Sequence, residues 1–366
     1  VSYHLMVKPA GAACNLDCSY CFYLKKEALY PNQSHLMPLD VLENHVRQHL
    51  AASGNDVEFM WQGGEPMLRG LDFYRSSVEL AEQYRRPGQR VRHAMQTNGT
   101  LINDDWAAFF REHNYLIGVS VDGPEHLHDA LRVDKQGRGT HAEVVRGWNT
   151  LRAHKVEANI LCTVNATNVE HPLEVYRHLR DDLGARYIQM IPIVEREGKG
   201  VSSRTVPAAA WGRFLVAIYD EWRRRDRKRG IHINTIDTAL ASMHGQYTAC
   251  TVAPHCGGCL AMERNGDVYS CDHYVEPWHK LGNIADRPLA EMVASPQQQH
   301  FGRAKYDTLP DQCIACPVLH MCYGGCPKDR IAVTSDGQPG LNWLCEGFKS
   351  FFSHIQKRNV AESSRS

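Results

Sequence analysis

The chain has 366 residues, enough for one large domain or for one large and one small, with ample apolar core. Its 41 Lys and Arg balance its 41 Asp and Glu, so no global field argues for nucleic acid or a membrane surface. The longest apolar stretches fall short of a bilayer span and Val1–Lys8 lacks a signal-peptide pattern, so a cytoplasmic protein is expected.

Over the first 200 residues short β-rich runs alternate with amphipathic helical runs. Strands are predicted at Tyr3–Val7, Val57–Trp61, Val91–Gln96, Leu116–Val121, Ala158–Val164 and Tyr187–Ile193. Helices are predicted between them at Leu39–Ala52, Phe73–Tyr84, Asp105–His113, Ala142–His154 and Pro172–Leu183. Repeated βα units imply an α/β fold with a parallel sheet and helices outside, and ligands gather at the strand C-terminal ends of such barrels. Pro207–Arg227 reads as one more helix, ending in the basic run Arg223–Arg229. That run could face an acidic electron donor, or be a solvated helix end favoured by the dipole. Beyond Ile236 cysteines and glycines become dense and helices hard to see, so a second domain is expected over 236–350. The tail Ala361–Ser366 is polar and expected to be disordered.

Thirteen cysteines, an odd number and grouped, suggest metal ligands in a reducing cytosol rather than disulfides. Cys14, Cys18 and Cys21 follow the first predicted strand at spacings that place three thiolates in one tight loop. Iron–sulfur clusters normally take four cysteines, so a three-cysteine site leaves one iron open. The alternative is zinc, which tends to use paired Cys-x₂-Cys elements closed by a fourth ligand. Tyr23 lies two residues further on, over the cluster or a nucleoside, or in core packing.

Gly63-Gly64-Glu65-Pro66 follows the second strand, with Gln62 before it on the same rim. Paired glycines let backbone approach a ligand closely, and the glutamate can accept from an ammonium group. Gln96–Thr100, containing Asn98, and Ser120–Pro124, containing Asp122, end the third and fourth strands. They offer hydroxyl, amide and carboxylate groups to a ribose or a methionyl carboxylate, or are ordinary Asn-Gly and Asp-Gly turns. Asn165 and Gln189 are further pocket candidates. Cys162, inside an apolar strand, reads as a small buried hydrophobe.

The cysteine loop with Gly63–Pro66 one strand later closely resembles the radical S-adenosylmethionine (SAM) enzymes. The resemblance implies a partial (β/α)₆ barrel over 1–235, with SAM on the open iron of a 4Fe-4S cluster. It also implies SAM contacts from Tyr23, Gln62, Gly63, Gly64, Glu65, Asn98, Ser120 and Asp122. Cys256-x₉-Gly266-x₄-Cys271 and Cys313-x₂-Cys316-x₅-Cys322-x₃-Cys326, followed by Cys345, resemble the SPASM domain, which holds two auxiliary 4Fe-4S clusters. By that resemblance Cys250, Cys256, Cys271 and Cys326 ligate one, and Cys313, Cys316, Cys322 and Cys345 the other. Cys259, three residues from Cys256, leaves a swapped assignment open, and a structural-zinc version of the domain is the alternative. Residues 351–366 would be a helix end and the disordered tail.

Lys8-Pro9, Cys14–Tyr23, Gln62–Pro66 and Tyr269–Val275 together resemble the anaerobic sulfatase-maturating enzymes. That family oxidises a sulfatase Cys or Ser to formylglycine, and its proposed general base maps to Asp272. The other reading of Asp272 is a turn aspartate capping amides; His273 beside it reads as structural. The resemblance also implies a flavodoxin or ferredoxin electron donor. A different maturase, forming a thioether or carbon crosslink in a ribosomal precursor peptide, is the alternative. Many such enzymes carry an N-terminal precursor-binding domain, which is not expected before a cluster loop beginning at residue 14, though some crosslinking enzymes also lack that domain. A cluster carrier without chemistry of its own would give Gly63–Pro66 no purpose.

Overall fold

The structure, a computed structural model, describes residues 3–31, 34–198 and 200–363. The chain opens with β1 (His4–Val7), α1 (Leu39–Ala52), β2 (Asp56–Trp61), α2 (Leu71–Tyr84), β3 (Arg90–Thr97), α3 (Asp104–Glu112) and β4 (Leu116–Ser120). There follow α4 (Glu125–His128), α5 (His141–Ala153), β5 (Glu157–Val164), α6 (Pro172–Arg177) and β6 (Tyr187–Pro192). Every predicted strand forms, within two residues of its expected ends. The predicted helix Pro172–Leu183 is α6 continued by a wider π turn over His178–Asp182. The local causes are ordinary. In β2, Val57, Phe59 and Trp61 alternate inward, and the Asn103 side chain caps α3 by accepting from the Trp106 N–H at 3.0 Å.

Further on lie the two-residue strands β7 (Arg196–Glu197) and β8 (Gly200–Val201), then α7 (Ala208–Arg225), β9 (His232–Ile233) and α8 (Asn234–Ser242). The cysteine-rich part contains β10 (Cys259–Met262), β11 (Asp267–Tyr269), β12 (Lys280–Asn283), α9 (Leu289–Val293) and α10 (Pro296–Asp307). It ends with α11 (Asp311–Ile314), α12 (Leu319–Cys322) and α13 (Cys345–Ser363). Disorder was expected from Ala361; instead α13 runs to Ser363, and the last three residues lie outside the described ones. No helix of the described residues is long and apolar enough to cross a membrane.

Two compact units emerge. The first comprises Val1–Ser120, Asp129–Asn159 and Gly257–Gly302. Its strands run in the order β12-β11-β10-β1-β2-β3-β4. From β1 to β4 the pairing is parallel, as the βα repeats imply. β10 adds to the free edge of β1, also parallel, with Val7 opposite Met262. That register sets Lys8 and Glu263, the next residue on each strand, beside one another, and the Lys8 N–H bonds the Met262 carbonyl at 2.9 Å. The β10–β12 meander was not foreseen, because these strands are only three or four residues long and sit among glycines and cysteines.

The second unit comprises Val121–His128, Ile160–Cys256 and Arg303–Ser366. Within it β5, β6 and β9 pair in parallel. α7 packs on α13 through aromatic contacts, Trp211 to Phe348 at 6.4 Å and Tyr219 to Phe351 at 6.4 Å between centroids. Of the basic run at the end of α7, Arg224 and Arg225 reach Glu221 and Arg229 reaches Asp226, so those charges are largely answered within the helix end.

Candidate active site and cysteine ligands

In the first unit the three-cysteine loop leaves β1 and is laced to its surroundings by backbone. The Asp17 N–H bonds the Val133 carbonyl at 2.8 Å, the Ser19 N–H bonds Leu131 at 3.1 Å, and the Cys21 N–H bonds Cys18 at 3.0 Å. Arg132 donates to the Tyr20 hydroxyl at 2.6 Å. The Cys14 sulfur accepts from the Leu16 N–H at 3.4 Å and from the Asn98 amide at 3.8 Å. Asn98 also donates to Asn15 at 2.8 Å, and Asn15 donates to Thr100 at 2.8 Å. The turn after β3 therefore holds the loop as well as bordering it. Burial pushes the Cys14 thiol up to about 11, a cost that metal coordination removes by displacing the proton.

Gly63–Pro66 is built against the same loop. The Gly64 N–H bonds Gly11 and the Glu65 N–H bonds Ala13, both at 2.8 Å. A Cβ on Gly64 would lie 2.0 Å from the Ala13 carbonyl oxygen, so only glycine permits this approach. The Glu65 carboxylate, expected to accept from an ammonium group, is wholly buried and already engaged. It accepts from Met67 N–H at 3.0 Å, Thr97 hydroxyl at 2.8 Å and Asn98 N–H at 2.8 Å. Burial raises it to about 7 against those hydrogen bonds. The Gln62 N–H bonds the Val7 carbonyl at 2.9 Å, setting that residue on the rim after β2. Ser120 accepts from Gln96 at 3.0 Å and is half-buried.

At the β1–β10 junction sits a buried polar group of four. Lys8, 1 % exposed, ion-pairs with Asp272 and stands 4.7 Å above the Tyr23 ring. The Tyr23 hydroxyl donates to Glu263. Burial alone would raise the Asp272 carboxyl, but the Lys8 ammonium, with His273 and Lys26 nearby, brings it below its ordinary value. Burial raises Glu263, against its bond from Tyr23 and the charge of Lys8. The Tyr23 ring packs with Tyr30, Tyr269 and Val275, so this aromatic is core on one side and polar network on the other. Asp272 opens a short 3₁₀ turn to Tyr274 but is ion-paired to Lys8, and no side-chain cap forms there. Sequence reasoning quoted Lys8 without a role and missed Glu263; the signal was a lysine ending a buried strand.

In the second unit Cys313, Cys316, Cys322 and Cys345 line one cavity together with Leu319 and Asn342. Between Cys322 and Cys326 three residues in a row take left-handed backbone, Tyr323 at φ 43°, Gly324 at 70° and Gly325 at 63°. The carbonyls of Cys250, Thr251 and Ala253, in the segment leading from Cys250 to Cys256, accept from the Lys305 ammonium. Cys162 is wholly buried in β5. Asp122, expected near a cofactor, is also wholly buried, and its carboxylate accepts the Thr163 N–H at 2.8 Å. Asn165 likewise turns its oxygen to the N–H groups of Thr167 and Asn168. Asp122 thus holds the C-terminal end of β5, and Asn165 the turn that follows it. In the first unit Cys259 opens β10, Cys271 follows β11, and Phe22 lies 5.4 Å from His273.

Residues 9–179 match the radical SAM superfamily, and 255–317 match SPASM, an iron–sulfur cluster-binding domain. A serine-type anaerobic sulfatase-maturating enzyme of Bacteroides thetaiotaomicron is 43 % identical over 96 % of this chain and 89 % of its own. The chain belongs to the anaerobic sulfatase-maturating enzymes. A cysteine-type member from Clostridium perfringens (strain 13) is 32 % identical over 98 % of both chains. The solved structure of native anSMEcpe with bound AdoMet and the Cp18Cys peptide superposes with a TM-score of 0.89, at 30 % identity over 100 % of both chains.

The residues present fit the groups this family implies. Three half-buried thiols in a backbone-held loop would leave one iron of a cluster open, and four thiols around one cavity would suit a closed one. Among the described residues no Cys, His, Asp or Glu triad is gathered for a single metal ion.

Proposed function

We propose that this chain oxidises a peptidyl serine or cysteine of a sulfatase to formylglycine, the role that the names of its relatives state. The observation that carries the reading is near-complete coverage at 43 % identity to a sulfatase-maturating enzyme, together with Asp272 buried against Lys8. Cys14, Cys18 and Cys21 would hold the cluster that binds SAM, and Cys250, Cys256, Cys271, Cys326, Cys313, Cys316, Cys322 and Cys345 two auxiliary clusters. When bound, these groups supply the 5′-deoxyadenosyl radical that takes a hydrogen atom from the substrate Cβ, and an acceptor for the electron that follows.

What remains for the protein is a proton. Removing one hydrogen atom, one proton and one electron turns Ser –CH₂OH into –CHO. With Cys the same losses give a thioaldehyde, and water then replaces sulfur as H₂S. Asp272 is the group that takes the proton from the side-chain oxygen or sulfur, given hydrogen-bond reach. The Lys8 ammonium keeps that carboxylate ionised despite its burial. Backbone at Gly63 and Gly64, with Gln62, Asn98 and Ser120, provides polar groups for SAM. Glu65 and Asp122 serve by holding those turns. A flavodoxin or ferredoxin donates electrons in the cytoplasm.

Serine is the expected better target, since the serine-type relative is 43 % identical and the cysteine-type 32 %. The test is anaerobic. Iron-reconstituted protein is incubated with SAM, dithionite and a Cys-x-Pro-x-Arg peptide or its Ser version, and the peptide is weighed. Loss of two hydrogens on Ser, or exchange of sulfur for oxygen with that loss on Cys, establishes the reaction. Deoxyadenosine without peptide change moves the substrate elsewhere. Asp272→Asn should still cleave SAM while losing aldehyde by about 10²–10⁴-fold; full activity would exclude Asp272 as the base.

A further inference from the structure

One buried cation of the second unit has no part in the reaction as described. Lys305, near the end of α10 and 1 % exposed, directs its ammonium at three backbone carbonyls: Cys250 at 2.5 Å, Thr251 at 3.1 Å, and Ala253. All three belong to the segment carrying Cys250 toward Cys256. The Lys305 carbonyl in turn accepts from Arg330 at 2.6 Å. The same guanidinium donates to Tyr323 at 2.8 Å and Gly324 at 3.2 Å, the inner residues of the Cys322–Cys326 loop. A Cβ on Gly324 would lie 2.7 Å from that guanidinium and 2.5 Å from Leu309, so the loop sequence is fitted to the cation.

The charge balance is the unusual part. Desolvating an ammonium is costly unless an anion answers it. Lys305 is met instead by carbonyls of the segment that carries the assigned ligands Cys250 and Cys256. Arg330 is likewise met by carbonyls, those of Tyr323 and Gly324 between the assigned ligands Cys322 and Cys326 and that of Lys305. Arg330 thus holds a loop whose two end cysteines are assigned to different auxiliary clusters, and a cluster of four thiolates would supply the answering anion.

We infer that Lys305 and Arg330 are positioning residues that tether the auxiliary ligand loops and raise the reduction potential of the iron held there. The inference rests on the auxiliary-cluster assignment. Each four-iron cluster with four thiolates gains negative charge on reduction, so a fixed buried cation favours the reduced state.

The experiment uses reconstituted full-length protein carrying Cys14→Ala, Cys18→Ala and Cys21→Ala, which isolates auxiliary iron. Iron content and an EPR-monitored redox titration are compared for Lys305→Met, Lys305→Arg, Arg330→Gln and Arg330→Lys. The neutral variants should titrate at lower potential, by about a tenfold change in the oxidised-to-reduced ratio, about 59 mV for one electron. The charge-keeping variants should return toward the parent. Neutral variants with full iron and an unmoved midpoint overturn the inference. If Lys305→Met loses iron that Lys305→Arg retains, the tether is supported; if both lose it, the Arg330 pair decides by the same shift. A parent that binds no iron without its first three cysteines would instead refute the auxiliary clusters themselves.

Discussion

The two cysteine-bearing regions are held by different electrostatics. The Cys14 sulfur takes neutral donors, a backbone N–H and an Asn98 amide. In the second unit the loops of Cys250 and Cys322–Cys326 hang from an ammonium and a guanidinium. Net charge and hydrogen bonding around a cluster set its potential. A site that must push an electron into SAM gains from anionic surroundings, and a site that must accept one gains from cations. The contrast matches the division of labour proposed for the two regions.

The largest effect should come from breaking the first region sterically. Gly64→Ala places a methyl group against the Ala13 carbonyl, which is backbone and cannot swing aside. SAM cleavage should fall by more than about 10³-fold, the scale of losing a positioned catalytic assembly. Iron bound by the other eight assigned cysteines should stay, and iron analysis beside a deoxyadenosine assay separates the two. Retained SAM cleavage would show that the glycine pair is not needed for the loop.

Lys8→Met sharpens the comparison from the chemical side. It strips the counter-ion from Asp272, and breaking a buried pair costs about 3–5 kcal/mol. Aldehyde formation should drop about 10²-fold while SAM is still cleaved, so deoxyadenosine per aldehyde rises. Lys8→Arg should recover part of the coupling. Lys8→Met/Asp272→Asn should be no worse than Asp272→Asn alone, since the unpaired charge is gone.

These two tests also mark what was legible in the chain. The six βα strands and the family could be read because each has a local signature: alternation for the strands, cysteine spacing and a motif for the family. Lys8, Glu263, Lys305 and Arg330 could not. Their meaning lies in partners far along the chain, Asp272 for Lys8 and the Cys250 segment for Lys305, and a lone basic residue has no period. Glu65 and Asp122 show the converse: motif positions whose carboxylates turned inward to hold backbone amides. A motif identifies a turn, and burial shows which of its atoms are engaged within the fold.

Stability should depend on acid through groups remote from iron. Burial holds His49 down to about 4 and His93 to about 3, His93 being stacked between Phe59 and Tyr115. Both are lowered in the fold, so below about pH 6.5 the unfolded chain binds protons that the native one refuses. Stability is intact above that pH and lost progressively toward pH 4, by about 3 kcal/mol for His49. Urea unfolding of wild type and His93→Phe at pH 7 and pH 4.5 reads this. Phe fits the aromatic stack and should flatten the slope; equal slopes would show that His93 is protonated in the fold.

The smallest effect bears most directly on the comparison. Asn98→Ala removes one neutral amide from the Cys14 sulfur and the 2.8 Å tie to Asn15. A neutral hydrogen bond contributes about 1 kcal/mol net, and a long sulfur contact less. Removing a donor makes reduction harder, so the first cluster should titrate slightly lower, by less than Lys305→Met moves the auxiliary iron. SAM cleavage should fall only several-fold. If instead Asn98→Ala shifts its cluster more than Lys305→Met shifts the other, neutral donors outweigh fixed charges in this protein. The two regions would then differ in loop geometry rather than in electrostatics.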